Sequence, residues 1–375
     1  MGDGVKLLDG VKGIRRGKEV MGKLMISDDG GFTWSHRCDF PFIHARPFVS
    51  GNELYVLGHC QDLMIIRSDN DGDSWTEPTT LSSGEQWHQA PCNVLESNGS
   101  VYLVMEKYKD GILKGWTRQI CPVLMKGKIG FDLTQRDNWT FSSTGTLLDF
   151  VSIEQMNYFG VPFYNSSPDR MEEVAPGKHC APIGWLETNV VQFKDLNHYW
   201  YDPAGKTFHL WSRAQTGGTG YAAIAKVVEK EDGSMELMLE QAPSGKQMVF
   251  VPCPGGQMKF HILYDNISET FWLLSSQTTD SMTKAERLPA GRYGLPNNER
   301  HRLQLHFSKN CIDWCFAGIV DIGETYNHSR HYASMTIDGK DLQILSRSGD
   351  EHAKNAHDVN LITLHTVAEF RCLLY

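Results

Sequence analysis

Short runs in which apolar and polar residues alternate recur along most of this chain, separated by clusters of Gly, Asn, Asp and Ser. Alternation with period two predicts half-buried strands, and the polar clusters predict tight turns. The first clear strand is Lys23–Ser27. Five hairpins of similar form follow. The first runs from Val49 to Leu57 and turns on Ser50-Gly51-Asn52. The second spans Asn93–Met105 around Ser97-Asn98-Gly99-Ser100, and the third spans Asn189–Trp211 around Asp202-Pro203-Ala204-Gly205-Lys206. The fourth covers Lys259–Leu274 with its turn at Asp265-Asn266, and the last covers Tyr332–Leu345 with its turn at Asp338–Asp341. Strand pairs repeated in this way predict an all-β chain of similar sheets. Residues 1–22 show little periodicity and read as a poorly structured lead-in. Residues 143–184 and 278–299 lack clear strands and read as insertions over one face of a single domain, 1–375.

One local motif repeats more closely than the rest. Ser27-Asp28-Asp29-Gly30-Gly31-Phe32-Thr33-Trp34 returns as Ser68-Asp69-Asn70-Asp71-Gly72-Asp73-Ser74-Trp75, 41 positions later (68 minus 27). A shortened copy stands at Ser308-Lys309-Asn310-Cys311-Ile312-Asp313-Trp314. Ser and Asp/Asn side chains bond turn amides, Gly supplies positive φ, and Trp covers the turn. The pattern resembles the Asp-box of the sialidase (BNR repeat) superfamily. The spacing suits one four-stranded propeller blade per ~40–50 residues. The resemblance implies a sialidase-like β-propeller: six blades with an incomplete N-terminal blade, or five blades closed by both termini. In that family the box lies on the blade rims, so it speaks for fold and not for chemistry.

Composition narrows the partners. Hydrophobic residues make up 41% of 375, with 10 Trp, 13 Tyr and 17 Phe, enough for a large core. The net charge of −9 and the absence of a basic run argue against nucleic acid or an anionic membrane surface as partners. No stretch is apolar and long enough to span a membrane. The start Met-Gly-Asp-Gly-Val-Lys has no apolar signal-peptide core. Nine scattered cysteines read as free thiols, which favour a reducing, cytoplasmic-type compartment. No spacing of His or Cys matches a metal knuckle, so neither a metal nor another cofactor is expected. Oligomeric state is left open by the sequence.

Propeller sites form where the innermost strands begin, so residues flanking the inner hairpins carry the candidate chemistry. Sialidases place a Glu at the start of one inner hairpin and an Arg after it; Glu187 and Arg213 match that layout. They place another Arg before the strand leading to a late Asp-box, as Arg300 or Arg302 stands here, and a nucleophilic Tyr before the last inner hairpin, as Tyr332 stands here. A carboxylate beside a phenol can take its proton, and the phenolate can attack an anomeric carbon without the repulsion that a carboxylate would meet from an anionic sugar. Arginines would clamp the sugar's own carboxylate. Ala45-Arg46-Pro47-Phe48 is similar to the family's opening arginine motif, with Asp62 then the acid; in the other register the N-terminal box belongs to the first blade. His88 and Glu106 flank the second hairpin and are further candidates for the acid. Trp185 reads as a sugar-stacking platform, and Lys259 and Arg330 as substrate-binding cations. His357 and Asp358 read as bracing a loop before the closing strand.

The expected activity is thus a glycoside hydrolase removing a terminal, acidic sugar from a glycan. Two alternatives stand beside it. One is a His-dependent hydrolase or lyase on uronate-containing polysaccharide, using His88 and Glu187. The other is a non-catalytic glycan-binding propeller.

Overall fold

The structure is a computed structural model that describes residues 11–88, 91–109, 116–152, 172–180, 183–214, 218, 220–276, 278–293 and 298–375. Five antiparallel sheets are arranged as the blades of a propeller. The first consists of Ile43–Ser50, Glu53–Cys60, Asp62–Ser68 and Thr79–Thr80. The second holds Val94–Ser97, Ser100–Tyr108, Ile120–Lys128 and Trp139–Phe141, with Trp87–His88 paired to the upper part of Ser100–Tyr108. The third holds Trp185–Val191, Thr207–Ala214, Tyr221–Glu229 and Met235–Met238, with Phe250–Pro252 also paired to Tyr221–Glu229. The fourth holds His261–Asp265, Thr270–Ser276, Arg302–Ser308 and Cys315–Ile322. The fifth has three strands, Arg330–Asp338, Asp341–Ser348 and Leu361–Val367.

All five expected inner hairpins form, and each turn falls on its Gly/Asn/Asp cluster; Ser50 pairs with Glu53, Ser97 with Ser100, and Asp338 with Asp341. Period-two burial drives this. In Asp341–Ser348, for example, Leu342, Ile344, Ser346 and Ser348 are buried while Leu345 is exposed. Adjacent blades share their apolar faces. Tyr102, Val104 and Leu124 of the second blade pack with Trp185, Phe208 and Leu210 of the third in one cluster.

Five blades agree with the second of the two expected blade counts. The N-terminal Asp-box hairpin, Gly22–Ile26 with Ser35–Phe40, forms a separate two-stranded sheet. It seats on the first blade through Phe40 and Phe42, which pack on Val56 and Ile66. Its turn reaches the other side, where Gly31 lies against Leu364 of the fifth blade. The hairpin therefore stands between the last blade and the first.

The described part of the lead-in, 11–22, is more ordered than its sequence suggests, and 1–10 lie outside the described residues. Gly13–Arg15 pairs with Lys18–Val20 in a small hairpin. The Ile14 carbonyl accepts from Cys60 Sγ and from Gln61 Nε2, which fixes this hairpin over the top of the first blade. Gly13 permits the approach, since a Cβ there would fall 2.0 Å from the Pro41 carbonyl oxygen. Of the expected insertions, the described part of 143–184 carries the short helix Leu147–Phe150 and the hairpin Glu172–Ala175/Lys178–Cys180; the rest lies outside the described residues. The described part of 278–299 carries two short 3-10 turns. Cys38, Cys60, Cys253, Cys311, Cys315 and Cys372 are free thiols. No helix among the described residues is long and apolar enough to cross a membrane.

The repeated turns share one hydrogen-bond set. Gly31 N–H donates to Ser27 Oγ (2.7 Å), Thr33 N–H to Asp29 Oδ1 (2.8 Å), and Trp34 Nε1 to the Gly31 carbonyl (3.0 Å). Ser68, Asn70, Gly72, Ser74 and Trp75 repeat it at 2.9, 3.0 and 3.0 Å. Gly31 and Gly72 have φ of 96° and 90°, where a side chain would be strained.

Phe42 is fully enclosed between the N-terminal hairpin and the first blade, and a Cβ on Gly58 would fall 2.5 Å from its ring. Phe42→Ala is expected to cost about 3–5 kcal/mol of stability, read as a lowered urea midpoint with an unchanged m-value.

Candidate active site

Three innermost strands carry the same irregularity at their upper ends. In the first blade Ile43 pairs with His59 and Arg46 with Leu57, so the ladder skips His44 and Ala45. The third blade skips Glu187 and Thr188, and the fifth skips Tyr332 and Ala333. In each bulge the first skipped residue adopts the left-handed conformation: φ is 53° at His44, 56° at Glu187 and 49° at Tyr332. Such backbone costs of order 1–3 kcal/mol per residue, and it concentrates at functional sites. Here it re-aims one side chain per blade at the end of the channel where the inner strands begin.

Around Glu187 and Tyr332 the charges are arranged as follows. Arg213 Nη1 lies 3.3 and 3.1 Å from the two Glu187 oxygens. Both partners are buried. Glu187, Arg213 and Arg300 each make a polar contact with the Tyr332 phenol. The Arg300 and Arg347 guanidinium carbons lie 5.6 and 5.1 Å from the Tyr332 ring centre. Burial alone would raise the Glu187 carboxyl, but Arg213, and after it Arg300, outweigh burial and hold it below the usual range. Burial first and Glu187 second push the Tyr332 phenol up, against the two arginines. The resting pair is thus a carboxylate facing a neutral phenol. Arg300 is oriented by Asn298 Oδ1 (3.0 Å) and His331 Nδ1 (2.9 Å), and burial keeps His331 neutral. Lys259, itself buried, donates to the Ala333 carbonyl and so pins the bulge that presents Tyr332.

The other half of the site is built from imidazoles. His44 Nδ1 lies 3.0 Å from His59 Nε2, and the His88 ring centre lies 5.4 Å from that of His44. Burial depresses His44 to about 3 and His88 to about 4, while Glu187 pulls both upward. His88 Nδ1 lies 3.2 Å from Glu106 Oε2. Glu106 is fully buried. Burial, then repulsion by Glu187, lifts its carboxyl well above the ordinary value, while the backbone N–H groups of Glu187 and Thr188 bond to it. Glu106 thereby supports the Glu187 bulge from behind. Among the described residues no group of three His, Cys, Asp or Glu side chains is placed to hold a metal ion.

Not every expected residue reaches this centre. Asp62 accepts bonds from Ser82 Oγ (2.7 Å), Gly84 N–H (3.0 Å) and Glu85 N–H (2.9 Å), and so braces a loop. Trp185 is 1% exposed, packs on Phe150 and donates to the Ile120 carbonyl; it is core between two blades and offers no face to a sugar. Arg302 is bound to Glu299, and Arg330 to Asp321 and to the carbonyls of Ser329 and Gly349. Arg46 is 2% exposed and donates to the Val104 carbonyl (3.0 Å), below Glu106. A cavity of about 1080 Å³ occupies the channel on that lower side, toward the Asp-box turns, with Arg46 and Gly31 in its wall. Size does not make it the site, because the groups able to do chemistry gather at the other end.

His44, His59 and His331 belong to the centre without having been singled out from sequence as site residues, and Arg347, at the far end of the last inner hairpin, joins them. One signal was available for His44. It stands six residues before Ser50, the end of its inner strand (50 minus 44), as Tyr332 stands six before Asp338 (338 minus 332). His357 does more than brace a loop: its ring centre is 5.9 Å from that of Tyr332, and its Nδ1 lies 2.8 Å from Asp358 Oδ1.

No family model matches the chain, and no curated protein matches it in sequence. Solved structures with a similar fold include an α-L-arabinanase of Penicillium chrysogenum complexed with arabinobiose: 11% identity, 93% of this chain and 86% of that chain covered, TM-score 0.46. The catalytic domain of a GH62 α-L-arabinofuranosidase of Coprinopsis cinerea is 10% identical, with 87% and 90% covered and a TM-score of 0.44. A mutant Trypanosoma rangeli sialidase displaying trans-sialidase activity is 10% identical, with 94% of this chain but only 59% of that chain covered, and a TM-score of 0.40. At such values the likeness carries nothing about chemistry, which rests on the side chains at the channel mouth.

The buried imidazoles set an acid limit on folding. An unfolded histidine titrates near 6.5, whereas His88 and His306 hold values of about 4 and His44 about 3, each lowered chiefly by burial. Between those values the unfolded chain binds more protons than the folded one. Stability is therefore complete above about pH 6.5 and is lost as pH falls toward 4, by up to about 1.4 kcal/mol per pH unit per histidine. Urea midpoints measured from pH 7 down to 4.5 are expected to decline; a flat profile would count against this burial.

Proposed function

We propose that this protein is a glycoside hydrolase that removes a terminal acidic sugar from a glycan, with Tyr332 as nucleophile and Glu187 as its base. The observation that carries the reading is the Glu187–Tyr332 pair itself. Two bulges on opposed blades turn a carboxylate and a phenol toward each other, with Arg213 and Arg300 against both. In the first step the Tyr332 oxygen attacks the anomeric carbon and its proton passes to Glu187. The glycosidic bond breaks and the departing oxygen takes a proton from a separate acid. In the second step water attacks the anomeric carbon and gives a proton back to that acid, while Tyr332 departs and recovers its proton from Glu187.

The acidity of the sugar follows from charge. Arg213, Arg300 and Arg347 surround the phenol and Glu187 is the carboxylate among them, while burial pushes the Glu106 carboxyl well above its ordinary value, so the mouth carries more positive than negative charge. A sugar carboxylate in the clamp would restore the balance through charge-assisted hydrogen bonds. Of the candidates for the acid, Asp62 is held by its loop and Glu106 is enclosed. His88 keeps 15% of its side chain exposed, and an anionic substrate would add to the pull of Glu187 on its proton affinity.

The test is a panel of aryl glycosides of acidic and neutral sugars. Turnover is expected for an acidic sugar, and Tyr332→Phe should lower kcat/KM by on the order of 10³-fold or more. Intact-mass analysis of the enzyme with a slow fluorinated donor should show one glycosyl unit added, and none on Tyr332→Phe. An unmodified wild-type enzyme that still turns over would remove the nucleophile role.

A second reading draws on the buried imidazoles of His44, His59 and His88, on two of which Glu187 acts electrostatically. A neutral His44 or His88 could abstract the proton next to a uronate carboxylate, with an arginine neutralising that carboxylate and Tyr332 protonating the leaving oxygen. An unsaturated product absorbing in the ultraviolet, formed at equal rates by wild type and Glu187→Gln, would favour it over hydrolysis.

A further inference from the structure

The small N-terminal hairpin brings two arginines to the rim of the channel mouth, beside the imidazole half of the site. A pocket of about 100 Å³ is enclosed there by Arg15, Arg16, Gln61, Gln86, Trp87 and Tyr108. Its frame is rigid. Trp87 N–H donates to the Gln61 carbonyl (2.9 Å) and Tyr108 N–H to the Gln86 carbonyl (2.9 Å). Arg16 and Gln61 are held at φ of 51° and 77°, the conformation that also marks His44, Glu187 and Tyr332. Arg16 Nη2 donates to the Tyr108 hydroxyl at 3.2 Å.

Charge is what makes this pocket unusual. Among the described residues no carboxylate forms an ion pair with Arg15 or Arg16, and the half-buried Arg15 side chain makes no hydrogen bond. Burial, and next the repulsion of Arg16, lowers the Arg15 guanidinium; only the weakly acidic Tyr108 and Cys60 oppose this. Two like charges held together at a pocket without a counter-ion form a binding site for an anion. The pocket lies beside the imidazole half of the centre. Arg15 acts electrostatically on His44, His59 and His88, and Glu187 acts on His44 and His88 from the other side. The His88 and Tyr108 ring centres are 6.1 Å apart.

We propose that the Arg15/Arg16/Tyr108 pocket is a second anion subsite, which takes a carboxylate or sulfate on the sugar next to the one cleaved. The substrate class is then a polyanionic glycan with acidic groups on adjacent sugars, and not a neutral glycan capped by one acidic residue. This substrate assignment rests on the glycosidase reading; the anion site does not. Arg213, Arg300 and Arg347 hold the terminal acid, the imidazoles line the scissile bond, and Arg15 with Arg16 hold the following charge.

Calorimetric titration at fixed low ionic strength tests both parts, with galacturonate, digalacturonate and inorganic sulfate as probes and wild type, Arg15→Gln, Arg15→Lys and Arg16→Gln as proteins. Wild type is expected to bind the dimer about tenfold more tightly than the monomer, and Arg15→Gln to reduce that ratio to about threefold or less. Arg15→Lys, which keeps the charge, should retain most of the ratio, and sulfate should bind more weakly to Arg15→Gln and to Arg16→Gln than to wild type. Equal dimer-to-monomer ratios in wild type and Arg15→Gln would overturn the substrate assignment. Sulfate affinity indifferent to both glutamine variants, or no sulfate binding by wild type, would overturn the subsite. If sulfate binding depends on Arg15 but neither saccharide binds wild type, the subsite stands and the acidic-sugar glycosidase reading fails.

Discussion

The site depends on one backbone constraint: an extra residue in an innermost strand, held in the left-handed conformation. A regular inner strand would alternate its side chains and send the residues at 44, 187 and 332 along the blade. The bulge turns one of them toward the axis instead. Left-handed backbone is disfavoured for any residue with a Cβ, so the surroundings must hold it in place. At Glu187 this is done by Glu106, which accepts from the backbone N–H groups of residues 187 and 188. At Tyr332 it is done by Lys259, through the carbonyl of Ala333. Both supports are buried ionisable groups moved toward neutrality by burial, which lowers the cost of keeping them there.

Support and reaction centre are therefore distinct layers of one assembly. Glu106, Lys259 and Arg46 are as buried as any core residue and bond main-chain groups, Glu106 with His88 and Thr188 besides, whereas Glu187, Tyr332, Arg213, Arg300 and Arg347 face one another. From the sequence the two layers look alike, since both consist of charged residues flanking an inner hairpin. Their partners separate them, since Glu187, Arg213 and Arg300 are buried much as Arg46 and Lys259 are. A charged residue whose partners are main-chain groups is positioning the scaffold; one whose partners are other side chains around an open mouth is available to a substrate.

Much of the fold was legible because it rests on local rules. Alternation set each strand, and Gly/Asn/Asp clusters set each turn, as Ser97–Ser100 and Asp338–Asp341 illustrate. The lead-in was misread because Gly13–Arg15 and Lys18–Val20 are too short to show a period; their order comes from docking on Cys60 and Gln61. Trp185 was misassigned for a related reason. Trp185 stands two residues before Glu187, so a regular strand would send both to one face; the bulge re-aims Glu187, and Trp185 stays in the contact between blades.

By itself the sequence determined that the chain is a propeller of repeated hairpins and that Glu187, Arg213, Arg300 and Tyr332 are the residues to watch. Periodicity and turn chemistry gave the hairpins; the propeller and those four residues came from the resemblance of the repeated turn to the Asp-box and from the layout that resemblance implies. Tertiary structure alone decided which charged residues meet, because residues 46, 106, 187, 259 and 332 stand on different blades and converge only when the sheets close around an axis. It also placed the Asp-box turns relative to that convergence. They lie at the end of the channel away from Glu187 and Tyr332, where Ser27, Asp29, Gly31 and Trp34 bond one another and leave the chemistry to the opposite face.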